Sequence, residues 1–274
     1  MQNIITFAKQ LFKRFNDDDV IGLSAQLAYF FLLSLFPFLI FLVTLIGYLP
    51  LDYQDILNFM ATYLPAGTFE LIEDNIEQIV NQRNGGLLSI GIIGTLWSAS
   101  NGTNAIMNAF NKAYDVEENR SFIVSRLIAI VLLLAMLLVI IVAFLLPIFG
   151  KAIGVYVFSF VGISGGFLEV WDALRWIISS MVFFIVFLAL YMLAPNKRIH
   201  IKDAVIGALF ATIGWQMVSL GFSYYVSTIG NYSAAYGSLG GVIVLMIWFF
   251  ISGVIIITGG EINAILKRRR GEKS

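Results

Sequence analysis

The sequence has 274 residues, of which 59% are hydrophobic and 12% are charged, with 17 basic side chains, 17 acidic side chains and no cysteine. A soluble domain carries about 25% charged residues, so this composition indicates a polytopic membrane protein. The zero net charge gives no reason to expect a nucleic-acid partner, and the lack of cysteine excludes disulfides, thiol nucleophiles and cysteine-bound metals. Long apolar runs without two-residue alternation favour an all-α protein over a membrane β-barrel.

The N-terminal segment, residues 1–23, is predicted to be a cytoplasmic amphipathic helix. Its apolar face carries Ile4, Phe7, Leu11 and Phe15, while Lys9, Lys13 and Arg14 lie off that face. Such a helix is typical of proteins that lie on anionic lipids, here at the cytoplasmic leaflet. The acidic run at residues 17–19 is interpreted as a helix N-cap, with a cytoplasmic cation or partner contact as the alternative.

Six membrane-spanning helices are predicted, because each apolar run approaches the roughly 20 residues that a bilayer core requires. They cover about 25–49, 87–110, 124–146, 173–193, 204–226 and 239–260. Residues 50–86 are predicted to form a small helical insert on the outer side, and residues 148–170 an outer interfacial or re-entrant segment. With both termini inside, most basic residues lie on the cytoplasmic side, as the positive-inside rule requires.

A polar stripe marks the second predicted span. Asn101, Asn104 and Asn108 share one helical face at spacings of three and four residues. In a membrane such a face must meet protein or water. Two interpretations stay open: hydrogen bonding between helices, or the lining of a polar pathway.

The sixth span is the most distinctive stretch of the chain and is rich in glycine. Small residues allow close helix packing in lipid, and the candidates for this role are Gly237, Gly241, Gly253, Gly259 and Gly260.

Glu261 follows these glycines at the inner edge of the predicted span. A carboxylate there needs a partner, a proton or water, and Arg126 and Lys202 are the candidate partners. The basic segment 267–274 is predicted to be a cytoplasmic tail.

Three stretches resemble the YihY/BrkB family of bacterial inner-membrane proteins, once labelled ribonuclease BN-like. They are LAYFFLLSLFPFLIF at 27–41, GTLWSAS at 94–100 and YGSLGGVIVLMIWFFISGVIIITGGEINA at 236–264. The resemblance implies a multi-pass protein of the bacterial cytoplasmic membrane with six spans. It implies no activity and no catalytic residues.

The residues favour a transporter, channel or flippase-like protein for a small solute, ion or lipid, with Glu261, Asn101, Asn104, Asn108 and Arg126 as candidates for a polar pathway or coupling. The alternatives are a scaffold or envelope-assembly factor that transports nothing, and an intramembrane enzyme acting on lipids. We expect no enzymatic activity and no cofactor. A metal site is not expected either, since His200 is the only histidine and there is no cysteine. Ribonuclease activity is not expected, because no paired acid and base or basic groove is present. Substrate, direction of movement and homo-oligomerisation are left open.

Overall fold

The computed structural model describes residues 2–46, 48, 85–138, 166–229 and 239–271, which contain seven helices and no strand. The helices are α1 (Gln2–Asp17), α2 (Val20–Ile46), α3 (Gly85–Ala113), α4 (Phe122–Leu138), α5 (Gly166–Leu193), α6 (Ile201–Ile229) and α7 (Leu239–Arg269). The predicted all-α class therefore holds for the described residues. Residues 50–84 of the predicted insert and 148–165 of the predicted outer segment lie outside them.

Four of the described helices contain stretches that are long and apolar enough to cross a membrane. These stretches are Val20–Phe41, Trp176–Leu193, Ile201–Tyr225 and Gly240–Arg269, and Phe122–Leu138 is a shorter apolar helix. Helix α3 has sufficient length but falls outside this set, since serine, threonine and asparagine interrupt its second half. The structure thus supports a multi-pass membrane protein, while the count of six spans and the inside position of both termini stay predictions.

One side of α6 is a continuous apolar surface. Its exposed residues recur every three or four positions: Ile206, Leu209, Ile213, Met217 and Leu220, each between 41% and 67% exposed. Soluble proteins rarely expose so long an apolar stripe, because water makes it unfavourable. The stripe therefore matches a helix that faces lipid.

The described chain divides into two compact units, residues 30–99 and residues 1–29 with 100–274. In the smaller unit α2 and α3 approach closely at two glycines of α3. A Cβ atom at Gly91 would lie 2.8 Å from the backbone of Phe41, and one at Gly94 would lie 3.0 Å from the Cβ atom of Pro37. The proline inside α2 is thus packed against a residue without a side chain.

Helix α7 runs through the core of the larger unit. It packs most extensively on α6 and also on α1, while α5 packs on α6. The side chains of Ile257 and Ile265 are almost fully buried, as are those of Ile106 and Phe110 in the second half of α3. The apolar side of the second half of α3 therefore lies within protein.

The end of α7 and the start of α2 differ from the boundaries predicted from the sequence. Helix α7 continues to Arg269, so Lys267 to Arg269 form its last turn instead of a free tail. Basic residues at a helix C-terminus interact favourably with the helix dipole, and Gly271, with φ of 73°, ends the helix in the left-handed conformation. Helix α2 begins at Val20. Within the acidic run predicted to cap a helix, Asp19 takes this role, because its Oδ1 accepts a hydrogen bond from the Gly22 N–H at 3.1 Å.

The apolar face of α1 is partly covered by protein. Phe7, Leu11 and Phe15 are half-buried because α1 packs on α7, whereas Ile5 is 58% exposed and Phe12 71% exposed. This face therefore contacts protein in part, and its position on anionic lipid stays a prediction.

Candidate functional site

The GGEIN motif, residues 259–263, joins α7 to its neighbours. A Cβ atom at Gly259 would collide with the Tyr191 hydroxyl, and one at Gly260 would lie 2.5 Å from the Phe110 ring. On α6, a Cβ atom at Gly207 would collide with the Gly259 carbonyl oxygen. The three glycines are therefore required by close packing of α7 on α3, α5 and α6.

Two side-chain hydrogen bonds fix this packing. The buried Asn263 amide accepts from the Gly207 N–H at 2.7 Å and donates to the Ala204 carbonyl at 3.2 Å. The Tyr191 hydroxyl donates to the Ile256 carbonyl at 2.7 Å. Because these groups are buried, each bond avoids the cost of an unsatisfied polar atom.

Glu261 points to the N-terminal helix. Its side chain is 0% exposed, and its Oε2 lies 3.6 Å from Nη1 of Arg14. Neither carboxylate oxygen accepts a hydrogen bond from a described residue. A buried carboxylate without hydrogen-bond donors is costly, because it has lost its hydrogen bonds to water and gained only a nearby positive charge.

Arg14 is shared among several acceptors. Its Nη1 donates to the Ala113 carbonyl at 2.8 Å and lies 3.5 Å from Oδ2 of Asp18, and its Nη2 lies 3.8 Å from Oδ2 of Asp115. Together with Glu261 these residues form what we call the Arg14 cluster. Three carboxylates surround one guanidinium group here, so acceptors exceed donors.

Arg268 adds a second cation at the edge of the Arg14 cluster. Its Nη2 donates to the Ala113 carbonyl at 3.1 Å and forms a very short contact with the Asp115 carboxylate. Asp115 is 67% exposed, so this pair is solvated and contributes little compared with the buried part of the cluster.

A second ionic group lies where α6 begins. The buried Asp203 carboxylate is 3.8 Å from Nζ of Lys267 and 3.2 Å from Nη1 of Arg270. Its Oδ2 accepts no hydrogen bond from a described residue. This contact explains why Lys267 is buried in the last turn of α7.

Tyr114 is electrostatically linked to both ionic groups. Burial raises the pKa of the Tyr114 hydroxyl well above its ordinary value, and the carboxylates of Asp203 and Glu261 raise it further. The hydroxyl has no hydrogen-bond partner among the described residues. Tyr114 therefore stays a neutral phenol near two buried acids.

A separate cluster joins the loop after α3 to the loop after α5. Arg120 donates to Oδ1 of Asn196 at 3.1 Å, to the Ala194 carbonyl at 3.2 Å and, in a very short contact, to the Pro195 carbonyl. We call this group, with Asn111 and Glu118, the Arg120 clamp.

Every part of the Arg120 clamp is hydrogen-bonded. Asn111 donates to Oε2 of Glu118 at 2.8 Å and accepts from the Asn196 N–H at 2.7 Å. The Arg120 N–H reaches the other Glu118 oxygen at 3.1 Å. The clamp is therefore a satisfied network.

The three asparagines of α3 have different surroundings. Asn101 is half-buried, and its Oδ1 accepts from Nη1 of Arg126 at 2.6 Å. The Oδ1 atom of Asn104 is buried without a hydrogen-bond partner among the described residues, and Asn108 is exposed. The Asn101–Arg126 bond joins α3 to α4 and is a hydrogen bond between helices, the first of the two interpretations of the stripe.

The partner expected for Glu261 is corrected by this geometry. Arg126 bonds Asn101, and the cation that faces Glu261 is Arg14. The sequence placed Arg14 off the apolar face of α1, yet it follows Phe7 by seven residues, a spacing that returns to the same face. That spacing is the signal that could have identified it.

The remaining glycines of α7 divide into packed and open positions. A Cβ atom at Gly253 would lie 2.9 Å from Cδ2 of Leu27 and 3.2 Å from Ser24. At Gly241, expected at a helix contact, a Cβ atom would meet no described atom within 4 Å. Gly237 lies outside the described residues.

No group of three or more acidic or histidine side chains among the described residues could hold a metal ion. The acidic groups described above lie beside arginine and lysine side chains. What the arrangement can do chemically is hold, exchange or release a positive charge at a buried carboxylate.

Comparisons with known proteins identify relatives over nearly the whole chain. The chain is 57% identical over 266 residues to the ribonuclease-like protein YfkH of Bacillus subtilis (strain 168), covering 97% of each chain. It is 28% identical to a UPF0761 membrane protein of Vibrio parahaemolyticus, covering 97% of this chain and 83% of the relative. No solved structure matches it.

The same result comes from a profile of the family described as Virulence factor BrkB, which matches residues 11–274. That match includes the GGEIN motif, Arg14 and both ionic groups. The chain therefore belongs to the BrkB family of membrane proteins, among relatives named UPF0761 membrane proteins.

Proposed function

We propose that this protein moves a small solute, ion or lipid across the membrane and that Glu261 is the group that couples charge to this movement. The observation that carries the proposal is the Glu261 carboxylate itself. It lies on a helix long enough to cross a membrane, is 0% exposed and accepts no hydrogen bond from a described residue. Ionisable groups within membrane helices are costly and commonly mark ion or substrate paths.

The sharing of Arg14 supports this role. A permanent ion pair would be expected at hydrogen-bond distance with both oxygens satisfied. Here the guanidinium donates to the Ala113 carbonyl at 2.8 Å and approaches Glu261 only to 3.6 Å. The Glu261 carboxylate thus keeps acceptor capacity for a proton or cation in exchange with Arg14.

The location follows from the charges. We propose a bacterial cytoplasmic membrane protein with six spans and both termini inside, because the basic residues near α1, around Lys197 and at the end of α7 would then share the cytoplasmic side. Anionic lipids of that leaflet would contact Lys9 and Lys13, which are exposed on α1. His200→Cys introduces a single cysteine in a loop that this topology places inside. Its reaction with an impermeant thiol reagent in intact cells would contradict the topology.

A non-transporting scaffold is the second candidate. The Arg120 clamp favours it, since a fully satisfied network between two loops holds a fixed structure. In both proposals the protein is not an enzyme, and its ionic residues bind or pack without making or breaking covalent bonds.

Reconstitution tests the choice. Vesicles that contain the purified protein and an internal pH dye should show charge-linked proton movement when a potassium diffusion potential is imposed with valinomycin, and fluorescent phospholipids in the same vesicles report lipid movement. Glu261→Gln should abolish the flux. Glu117→Gln, an exposed acid in the loop after α3, should leave it unchanged. If folded protein carries neither flux above protein-free vesicles, the scaffold is favoured.

A further inference from the structure

The unused acceptor capacity of Glu261 defines a site. An ionised carboxylate offers about four lone-pair positions. In Glu261 none of them accepts a hydrogen bond from a described residue, although the side chain is 0% exposed. Nearby, the Ala113 carbonyl lies at the end of α3 and accepts hydrogen bonds from Arg14 at 2.8 Å and from Arg268 at 3.1 Å, as expected of a carbonyl at a helix C-terminus.

Arg14 shows which shape of cation this space accepts. Its two terminal nitrogens reach different acceptors, Nη1 toward Ala113, Asp18 and Glu261 and Nη2 toward Asp115, at distances from 2.8 to 3.8 Å. Divergent acceptors around a planar group match the forked N–H donors of a guanidinium better than the compact charge of an ammonium or metal ion.

Besides its apolar packing on α7, the helix that carries Arg14 makes exposed contacts with Arg269 of α7. The Arg269 guanidinium lies 5.2 Å from the centre of the Phe7 ring, and it donates to Oε1 of Gln10 at 3.2 to 3.3 Å. Both side chains of the Arg269–Gln10 bond are solvent-accessible, and exposed polar contacts contribute little to stability. A guanidinium ion that makes the same contacts would therefore compete with Arg14 for the Glu261 carboxylate.

We propose that Glu261, Asp18, Asp115 and the main-chain carbonyl of Ala113 form a binding site for a small cation that carries a guanidinium group, and that Arg14 is its built-in occupant. Arg268 stays at the exposed edge of this site, on Asp115 and the Ala113 carbonyl. This site rests on the proposed transport function, and it specifies a guanidinium compound as the solute that exchanges with Arg14. Its binding step can nevertheless be measured without any flux.

Chemical rescue tests the site. Arg14→Ala empties the guanidinium position, and melting followed by the fluorescence of the five tryptophans reports stability in detergent. Millimolar guanidinium chloride should then raise the melting temperature saturably, by about 3 °C or more. Sodium chloride at equal ionic strength and tetramethylammonium, which has no N–H donor, should not.

The double variant Arg14→Ala/Glu261→Gln is the matched control. It lacks the carboxylate, so guanidinium should give it no saturable stabilisation. An equal response of the single and double variants, or an equal response to sodium, would overturn the site.

A second measurement serves if Arg14→Ala does not fold. The natural chain has no cysteine, so Phe12→Cys places a single fluorophore on the exposed face of α1. Millimolar guanidinium should displace Arg14 and change the emission saturably, and the change should vanish when Glu261→Gln is added. Emission that does not respond to guanidinium would overturn the proposal.

The two proposals fail separately. Charge flux without any guanidinium effect would remove this site and leave the transport function. Guanidinium binding in a protein that carries no flux would retain the site and remove the transport function.

Discussion

The Arg14 cluster and the Arg120 clamp are both built on a half-buried arginine, with 15% and 14% of the side chain exposed. In the clamp, three guanidinium contacts meet two carbonyls and one amide oxygen, and both oxygens of Glu118 accept hydrogen bonds. In the Arg14 cluster, Glu261 accepts none from a described residue. Both sites place an arginine among carboxylate, carbonyl or amide oxygens. They differ in whether each buried oxygen has a hydrogen-bond donor.

This comparison separates two uses of a buried charge. A network whose groups are all satisfied holds one arrangement, because any change leaves an unpaired buried atom. A carboxylate that has charge compensation without hydrogen bonds gains less from its present partner, so a proton or another cation competes more easily. The full set of hydrogen bonds in the Arg120 clamp therefore supports a structural role, and the unsatisfied Glu261 carboxylate supports the exchange proposed for the Arg14 cluster.

Removing Arg14 should give the largest effect. Arg14→Ala leaves the fully buried Glu261 carboxylate without its nearest cation, and breaking a buried pair in this way costs about 3 to 5 kcal/mol. Unfolding by SDS titration, followed by tryptophan fluorescence, measures the loss. Adding Glu261→Gln should restore part of it, since the uncompensated charge is then gone. If the double variant is no more stable than Arg14→Ala, the two side chains are not coupled.

Breaking the clamp should cost slightly less and should act on structure alone. Arg120→Ala leaves the buried carbonyls of Ala194 and Pro195 without donors, a loss of about 2 to 4 kcal/mol. The same SDS titration measures it, with Arg198→Ala as control because Arg198 is exposed in a nearby loop. Protein that remains folded should keep its flux. A loss of flux without a loss of stability would mean that the clamp has a functional role.

These two sites also show how far the sequence could lead. The helices of the described residues, the capping aspartate before α2 and the importance of the GGEIN motif follow from local patterns: apolar run length, residue type and glycine spacing. Arg14 and Glu261 are 247 positions apart, and their contact depends on how α1 turns its side chains toward α7. Local periodicity places Arg14 on a face of its helix but does not say what that face meets.

The error over Arg126 has a related cause. From the sequence, Arg126 is a candidate because it lies near the cytoplasmic end of the third predicted span, at a depth similar to that of Glu261. Depth alone cannot distinguish helices that lie at the same level in the membrane. The structure places Arg126 on Asn101, so the cation is used in a bond between α3 and α4. Lys267 was missed in the same way, because Asp203 lies on a different helix and only packing brings the two together.

Packing of α6 on α7 can be perturbed without changing any charge. Gly207→Ala would place a methyl group against the Gly259 carbonyl and 2.6 Å from Cγ of Asn263, and overpacking of this kind costs about 1 to 3 kcal/mol. The shift should move Asp203 relative to Lys267 while the Arg120 clamp stays intact. Gly221→Ala on the same helix is the control, because its Cβ atom would meet no described atom within 4 Å. Equal melting temperatures for the two variants would contradict the close contact.

The smallest expected change in stability is the most informative. Glu261→Gln removes the anion but leaves Arg14 with the Ala113 carbonyl and the carboxylates of Asp18 and Asp115. No described donor loses a hydrogen bond, because Glu261 accepts none, so SDS titration should show a change below about 1 kcal/mol. Substitution of Arg14 would then lower the stability much more than substitution of Glu261. Such a difference is expected only where the carboxylates around a cation offer more acceptors than the cation has donors. A loss as large as that of Arg14→Ala would mean that Glu261 is the main partner of Arg14, and the Arg14 cluster would then be as structural as the clamp.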